Sequence, residues 1–329
     1  MSTRRNRSNQ TIECLRFVCS VAILFIHCGF PLAFASEYAM AVSRFAVPYL
    51  ILLSGWYVDH NGKVEKAKKK RRDILRIILA GGCVCVIWNC FNSYLQYGNL
   101  SSWTVPYLNN RTLIDFLLFN RAVFLNSVYY YFFMMFYVYS IFIGAQRLRF
   151  SKMLLILSPV LLFGGVAICE FSSMPWYYGG NFLFVGIPCF CTGYLLRKAQ
   201  DHLRILKSKE WAAVAVGLLL TYLEYRGQGS CYLYFGTIVV AVSVLVFCMN
   251  HEDIKCPKLL IKAGTYLSLP IIVIHCEIRD TLQILFPNLG INKLSLLVLF
   301  LSVISAMGYQ IIKKVYVNHL SMETSYLRK

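Results

Sequence analysis

No polar stretch in this chain is longer than a loop, and that lack excludes a separate soluble domain. Basic residues outnumber acidic ones, 33 to 15, for a formal charge of +18, yet no basic patch stands apart from alternate short loops. Such a distribution argues against nucleic acid as a partner, because it is what short cytoplasmic connections of a membrane protein carry. The 13 cysteines show no metal-finger spacing. Cys83-Val-Cys85 and Cys189-Phe-Cys191 lie inside apolar runs, where cysteine behaves as a small hydrophobe. Neither a metal site nor a structural disulfide is expected. No solenoid or propeller period is present. A short apolar core with a small-residue cleavage site is missing behind Arg4, Arg5 and Arg7, so the first apolar run reads as a retained span.

What fills the chain is hydrocarbon. Of its 329 residues, 58% are apolar, and the mean hydropathy is +0.57. A soluble domain runs at about 45–50% apolar. About ten runs approach the roughly 17–25 residues of a bilayer crossing. They cover residues 12–34, 40–58, 74–96, 127–145, 153–169, 181–196, 211–225, 231–249, 259–285 and 294–315. A further stretch, 113–124, is apolar but interrupted by Asp115, Asn120 and Arg121, and suits a re-entrant or interfacial piece. The expectation is an all-α, polytopic integral membrane protein of the cell membrane, with residues 1–329 as one transmembrane domain.

Orientation follows from charge. Basic residues crowd the N-terminal tail, the run Lys63–Arg72, the loops around Arg147, Arg197–Lys209 and Lys255–Lys262, and the C-terminal tail. The intervening loops hold only Arg111, Arg121, Arg226 and Lys293. Both termini are therefore expected on the cytoplasmic side. Trp103, Trp176, Tyr177 and Tyr178 fall in the outer loops, as interfacial aromatics do. The aromatic run Tyr129–Phe136 reads as belt and core. Pro48, Pro159, Pro188 and Pro270 fall within spans, where each frees backbone carbonyls and kinks a helix or lines a cavity.

Charge inside the first run needs a use. Glu13, Arg16, Ser20 and His27 share one helical stripe, with Arg16 and His27 roughly 16 Å apart along the axis. Ionisable groups at membrane depth are costly and are functional candidates. Arg44 sits near the outer end of the second span and Ser54 near its inner end. The ninth span passes Gly264, Ser268, Pro270 and His275, which brings a second histidine to the depth of His27. The basic group Arg71, Arg72 and Arg76 marks the opposite, cytoplasmic mouth. Guanidinium groups there suit the phosphates of a donor, and a neutral imidazole deeper in suits removal of a hydroxyl proton. Plainer readings stand beside these: Glu13 and Arg16 as an ion pair orienting the helix, Arg44 snorkelling to the interface, and Lys63–Arg72 as a topology signal.

At these residues the chain resembles the membrane-bound acyltransferase family three. The family's opening Asp/Glu-x-x-Arg, ten residues and His is matched by Glu13-Cys-Leu-Arg16 through His27. Its Arg-x-x-Val-Pro and Ser-Gly pair correspond to Arg44-Phe-Ala-Val-Pro48 and Ser54-Gly55, its basic start of the third span to Arg71, Arg72 and Arg76, and its late Gly-x-x-x-Ser and His to Gly264, Ser268 and His275. The resemblance implies about ten helices, acetyl-CoA as cytoplasmic acyl donor, and a hydroxyl of an envelope glycan as acceptor. It also implies His27 as base, Arg16 as its partner near the donor path with Glu13 beside it, and the arginines of the third span on the donor. Two features depart from the family: three residues separate Arg72 from Arg76 where two are usual, and Tyr129-Tyr-Tyr-Phe-Phe133 stands where a Trp is common. A transporter or flippase without chemistry is the alternative, since buried charge and proline-broken helices serve transport as well.

Overall fold

In the computed structural model, residues 9–31, 36–58, 63–98, 110–121, 125–171, 175–252 and 254–326 are described, and helix is the only regular structure among them. Trp103 and the arginines of the N-terminal tail lie outside these residues. Helix α1, Gln10–Cys28, begins where the Asn9 side chain accepts from the Thr11 and Ile12 amides at 3.1 and 3.2 Å. It stops sooner than the apolar run 12–34 suggests. Gly29 takes φ +85°, and its amide closes on the Phe25 carbonyl at 2.9 Å.

The second run is split into α2, Ser36–Ser43, and α3, Ala46–Trp56, by a turn at Arg44 and Phe45. Helix α4, Lys63–Tyr97, joins the basic run and the third apolar run into one rod roughly 50 Å long. Helix α5, Asn110–Phe119, occupies part of the interrupted stretch. Asn120, at φ +51°, ends it, donating to the Tyr130 carbonyl and accepting from the Phe182 amide at 3.0 and 2.9 Å. Helices α6, Tyr129–Arg147, and α7, Ser151–Phe171, follow, with Pro159 inside α7. A π-helical turn, Phe182–Gly186, then leads into α8, Ile187–Lys198. After α9, Glu210–Gln228, and α10, Phe235–Asn250, come α11, Lys258–Tyr266, and α12, Ser268–Leu285, bent 67° from each other. Helix α13, Ile291–Tyr326, closes the chain.

Each of the ten apolar runs therefore carries helix, but fewer helices are crossings by length and composition alone. Five stretches qualify: Gln10–Cys28, Glu37–Trp56, Val64–Tyr97, Ser151–Cys169 and Ile291–Tyr316, with the bent pair α11–α12 as a sixth. The reasons for the shortfall are local. Helix α8 has 12 residues and α10 has 16, below the usual crossing length. Tyrosine dilutes the hydropathy of α6, and Glu224 and Arg226 that of α9. The aromatic expectation is corrected at Tyr177, which is buried, its ring 4.5 Å from the Arg121 guanidinium carbon.

Backbones meet closely at several glycines, as in membrane bundles generally. A Cβ on Gly55 would lie 2.0 Å from the Phe190 carbonyl oxygen, and one on Gly193 1.9 Å from that of Leu52, so α3 and α8 touch main chain to main chain. Gly264 does the same for α11 against α1, where a Cβ would meet the Glu13 carbonyl oxygen at 1.7 Å. Contacts from both ends fix the direction of travel. Glu13 neighbours Gly264 and Thr265, whereas His27 neighbours His275 and Arg279, so α1 runs parallel to the bent pair. Asn9 and Thr11 donate to the Cys248 and His251 carbonyls, which sets α10 antiparallel to α1.

Gly264→Val is expected to force α1 and α11 apart and to destabilise the protein by about 1–3 kcal/mol, lowering its thermal midpoint in detergent. Gly227→Ala, where an added Cβ meets nothing within 4 Å, should leave the midpoint nearly unchanged. Equal midpoints for the two variants would contradict the backbone contact.

Candidate active site

Two polar zones occupy the interface between α1 and its neighbours. At the lower zone, Arg16 Nη1 reaches both carboxylate oxygens of Glu13, at 3.3 and 3.1 Å, a pairing made by the i, i+3 spacing on one helix. Glu13 is the buried partner, with its side chain 7% exposed against 33% for Arg16. Thr265 Oγ1 donates to Glu13 Oε2 at 3.3 Å, possible because Gly264 lets the α11 backbone in. Ser268 stands at the bend between α11 and α12, buried, its hydroxyl without a protein partner among the described residues. Ser54 returns its hydroxyl to the Leu50 carbonyl at 2.9 Å, the usual back-bond of a mid-helix serine.

The upper zone centres on His27, in the last turn of α1. Its ring lies 5.4 Å from that of His275, centroid to centroid, at an interplanar angle of 41°. His275 is fully buried, and its Nδ1 donates to the Ile271 carbonyl at 3.0 Å, which leaves Nε2 as the acceptor beside the Cys276 thiol at 3.5 Å. Ser127, from the turn before α6, brings its Oγ to 3.3 Å from His27 Nδ1. Arg279 Nη1 donates to the His27 carbonyl at 3.0 Å while Asp280 holds Arg279 at 2.6 Å. A cation at the carbonyl end of α1 satisfies an otherwise orphan acceptor and suits the helix dipole.

His27 opens onto a cavity of about 400 Å³. Its wall includes Ile23, Arg44, Pro48, Ser127, Tyr130, Tyr131, Val185 and Tyr232. Two helix breaks border it: the turn at Arg44 between α2 and α3, and the π-helical turn that holds Val185. Irregular backbone at membrane depth is tolerated where it lines such a space. Pro48, Pro188 and Pro270 all fall in the first turn after a break, where a missing N–H costs no intrahelical bond. Pro159 alone sits within a continuous helix.

Of the residues singled out by sequence, the structure brings His27, His275 and Arg44 to the upper zone and Glu13 and Arg16 to the lower. Arg71, Arg72 and Arg76 reach neither. They ride the N-terminal turns of α4, where Arg72 and Arg76 are exposed and Arg76 pairs with Asp73 at 3.4 Å. The aromatic run packs in the core, as its sequence suggests, and Tyr130 and Tyr131 line the cavity as well. Tyr131 also turns its hydroxyl toward Ser54. Ser127 and Arg279 went unassigned. A serine in a turn and an arginine beside an aspartate carry no periodic signal.

A family model described as an acyltransferase domain, that of acyltransferase family 3, matches residues 9–309. No curated protein and no solved structure matches the chain.

Arg16→Ala is expected to strand the buried Glu13 carboxylate with Thr265 alone, destabilising the protein by about 1–3 kcal/mol. Replacing both partners, Glu13→Gln with Arg16→Gln, should recover part of that loss in thermal unfolding. Additive losses in the double variant would contradict the coupling.

Proposed function

The chain belongs to acyltransferase family 3, and on that premise we propose that it is an integral-membrane O-acyltransferase moving an acetyl group from cytoplasmic acetyl-CoA to a hydroxyl of an extracytoplasmic glycan or related envelope acceptor. The observation that carries this reading is an imidazole at membrane depth, held by Ser127 and facing a 400 Å³ cavity. That space suits an acetyl thioester beside one hydroxyl-bearing ring and is too small for a nucleotide as well. The nucleotide's phosphates would then stay at the cytoplasmic mouth, where Arg71, Arg72 and Arg76 offer exposed or half-exposed guanidinium groups. Ten crossings with both termini inside complete the proposal, because this arrangement puts the basic turns of α4 on the donor's side.

In this scheme His27 takes the proton of the acceptor hydroxyl as its oxygen attacks the thioester carbonyl. The new C–O bond forms, the C–S bond breaks, and His27 returns the proton to the departing thiolate. Ser127 and the Arg279–His27 carbonyl bond fix the ring's place on α1, so the base is oriented before substrate arrives. Arg16, held by Glu13 below the cavity, supplies positive charge on the donor's route past Tyr131.

Purified protein mixed with radiolabelled acetyl-CoA should show acetyl transfer or donor hydrolysis that falls roughly 10²–10⁴-fold in His27→Ala. Saturating acetyl-CoA should raise the thermal midpoint, by about 2.7 kcal/mol of stabilisation at a hundredfold excess over Kd. Turnover indifferent to His27, or a midpoint indifferent to acetyl-CoA, would remove the assignment.

A further inference from the structure

A guanidinium keeps its charge at any working pH and carries five N–H donors, so in a mainly apolar enclosure it needs an acceptor of matching charge. The other arginines with ion-pair partners inside the bundle meet that need: Arg16 with Glu13, Arg121 with Asp115, and Arg279 with Asp280, at 3.1, 3.2 and 2.6 Å. Arg44 does not. Its Nη1 donates to the Tyr232 carbonyl at 3.3 Å, and its guanidinium carbon lies 5.9 Å from the Tyr232 ring centroid, near the outer limit of a cation–π contact. Among the described residues, no carboxylate pairs with it and no acidic residue lines the cavity that it shares with His27. The turn between α2 and α3 aims this unmatched cation into the reaction space.

We propose that Arg44 is a subsite for a negatively charged oxygen group on the acceptor, a carboxylate or a phosphodiester, so that the glycan acetylated by this protein is anionic. The proposal rests on the acyl-transfer reading above. Carboxylate and phosphate share the paired oxygens that a guanidinium fork binds. The donor's own phosphates are a poor match for this position. In acetyl-CoA they are separated from the thioester by the whole pantetheine arm, a length that a 400 Å³ cavity holding both His27 and Arg44 does not span. An acceptor sugar has its charged group and its hydroxyls on one ring or on adjacent residues, which fits the reach between the two side chains. Tyr130 and Tyr232, whose hydroxyls hydrogen-bond to each other, form the wall beside Arg44 and give that ring an aromatic and hydroxyl-bearing surface.

The test uses membranes containing the full-length protein and radiolabelled acetyl-CoA, with label released from any lipid carrier by mild acid and then passed over an anion exchanger. His27-dependent label should bind and elute only with salt. In parallel, Arg44→Gln should lower transfer roughly tenfold or more beyond its effect on donor hydrolysis by the purified protein, with Arg44→Lys recovering part of the difference. Label that flows through uncharged would overturn the proposal. So would equal losses of transfer and hydrolysis in Arg44→Gln, which would mark Arg44 as a donor or oxyanion contact. Label indifferent to His27 would remove the acyl-transfer reading itself, and this subsite with it.

Discussion

The contact on which the rest depends is the close approach of α1 and α11 at Gly264. Only a residue without Cβ lets the two backbones meet there, and the meeting sets the register between α1 and the bent pair α11–α12. From that register the polar contacts follow in order along two parallel helices. Thr265 reaches the Glu13 carboxylate at one end, His275 comes beside His27 further along, and Arg279 reaches the last turn of α1. Each placement answers the cost of polar groups in hydrocarbon. A shift of one residue would move Thr265 off the carboxylate and Arg279 off the carbonyl together.

Helix breaks do the complementary work. The bundle is interrupted at Arg44–Phe45, at the π-helical turn before α8, and at Leu267, and a proline follows each break within one helical turn. Two of these breaks border the His27 cavity. Broken helices around an internal cavity are common to carriers and to intramembrane enzymes, so geometry alone does not separate the two. Membership of an acyltransferase family does, and the oriented imidazole is the group such chemistry requires.

Much of the candidate site was legible in the sequence for a plain reason. Glu13, Arg16 and His27 lie on one helix, where spacing fixes relative position, and an apolar background makes each conspicuous. His275 could be placed at the depth of His27 by counting residues along a second span. Ser127, Arg279 and Tyr131 could not, because their roles arise from a turn, a tertiary hydrogen bond and a shared wall. Element boundaries failed where backbone conformation decided them: Gly29 ended α1 early, and the Arg44 turn split a run that hydropathy reads as continuous. Arg71, Arg72 and Arg76 show the limit of resemblance, since none of them lines the cavity that His27 faces.

The most direct measurement is an experimental structure of the protein with a non-hydrolysable acetyl-CoA analogue. The expected density has the acyl carbonyl inside the cavity beside His27, with the nucleotide outside at the basic N-terminal turns of α4. An acyl group bound elsewhere, with well-packed side chains sealing His27 from it, would contradict the catalytic assignment.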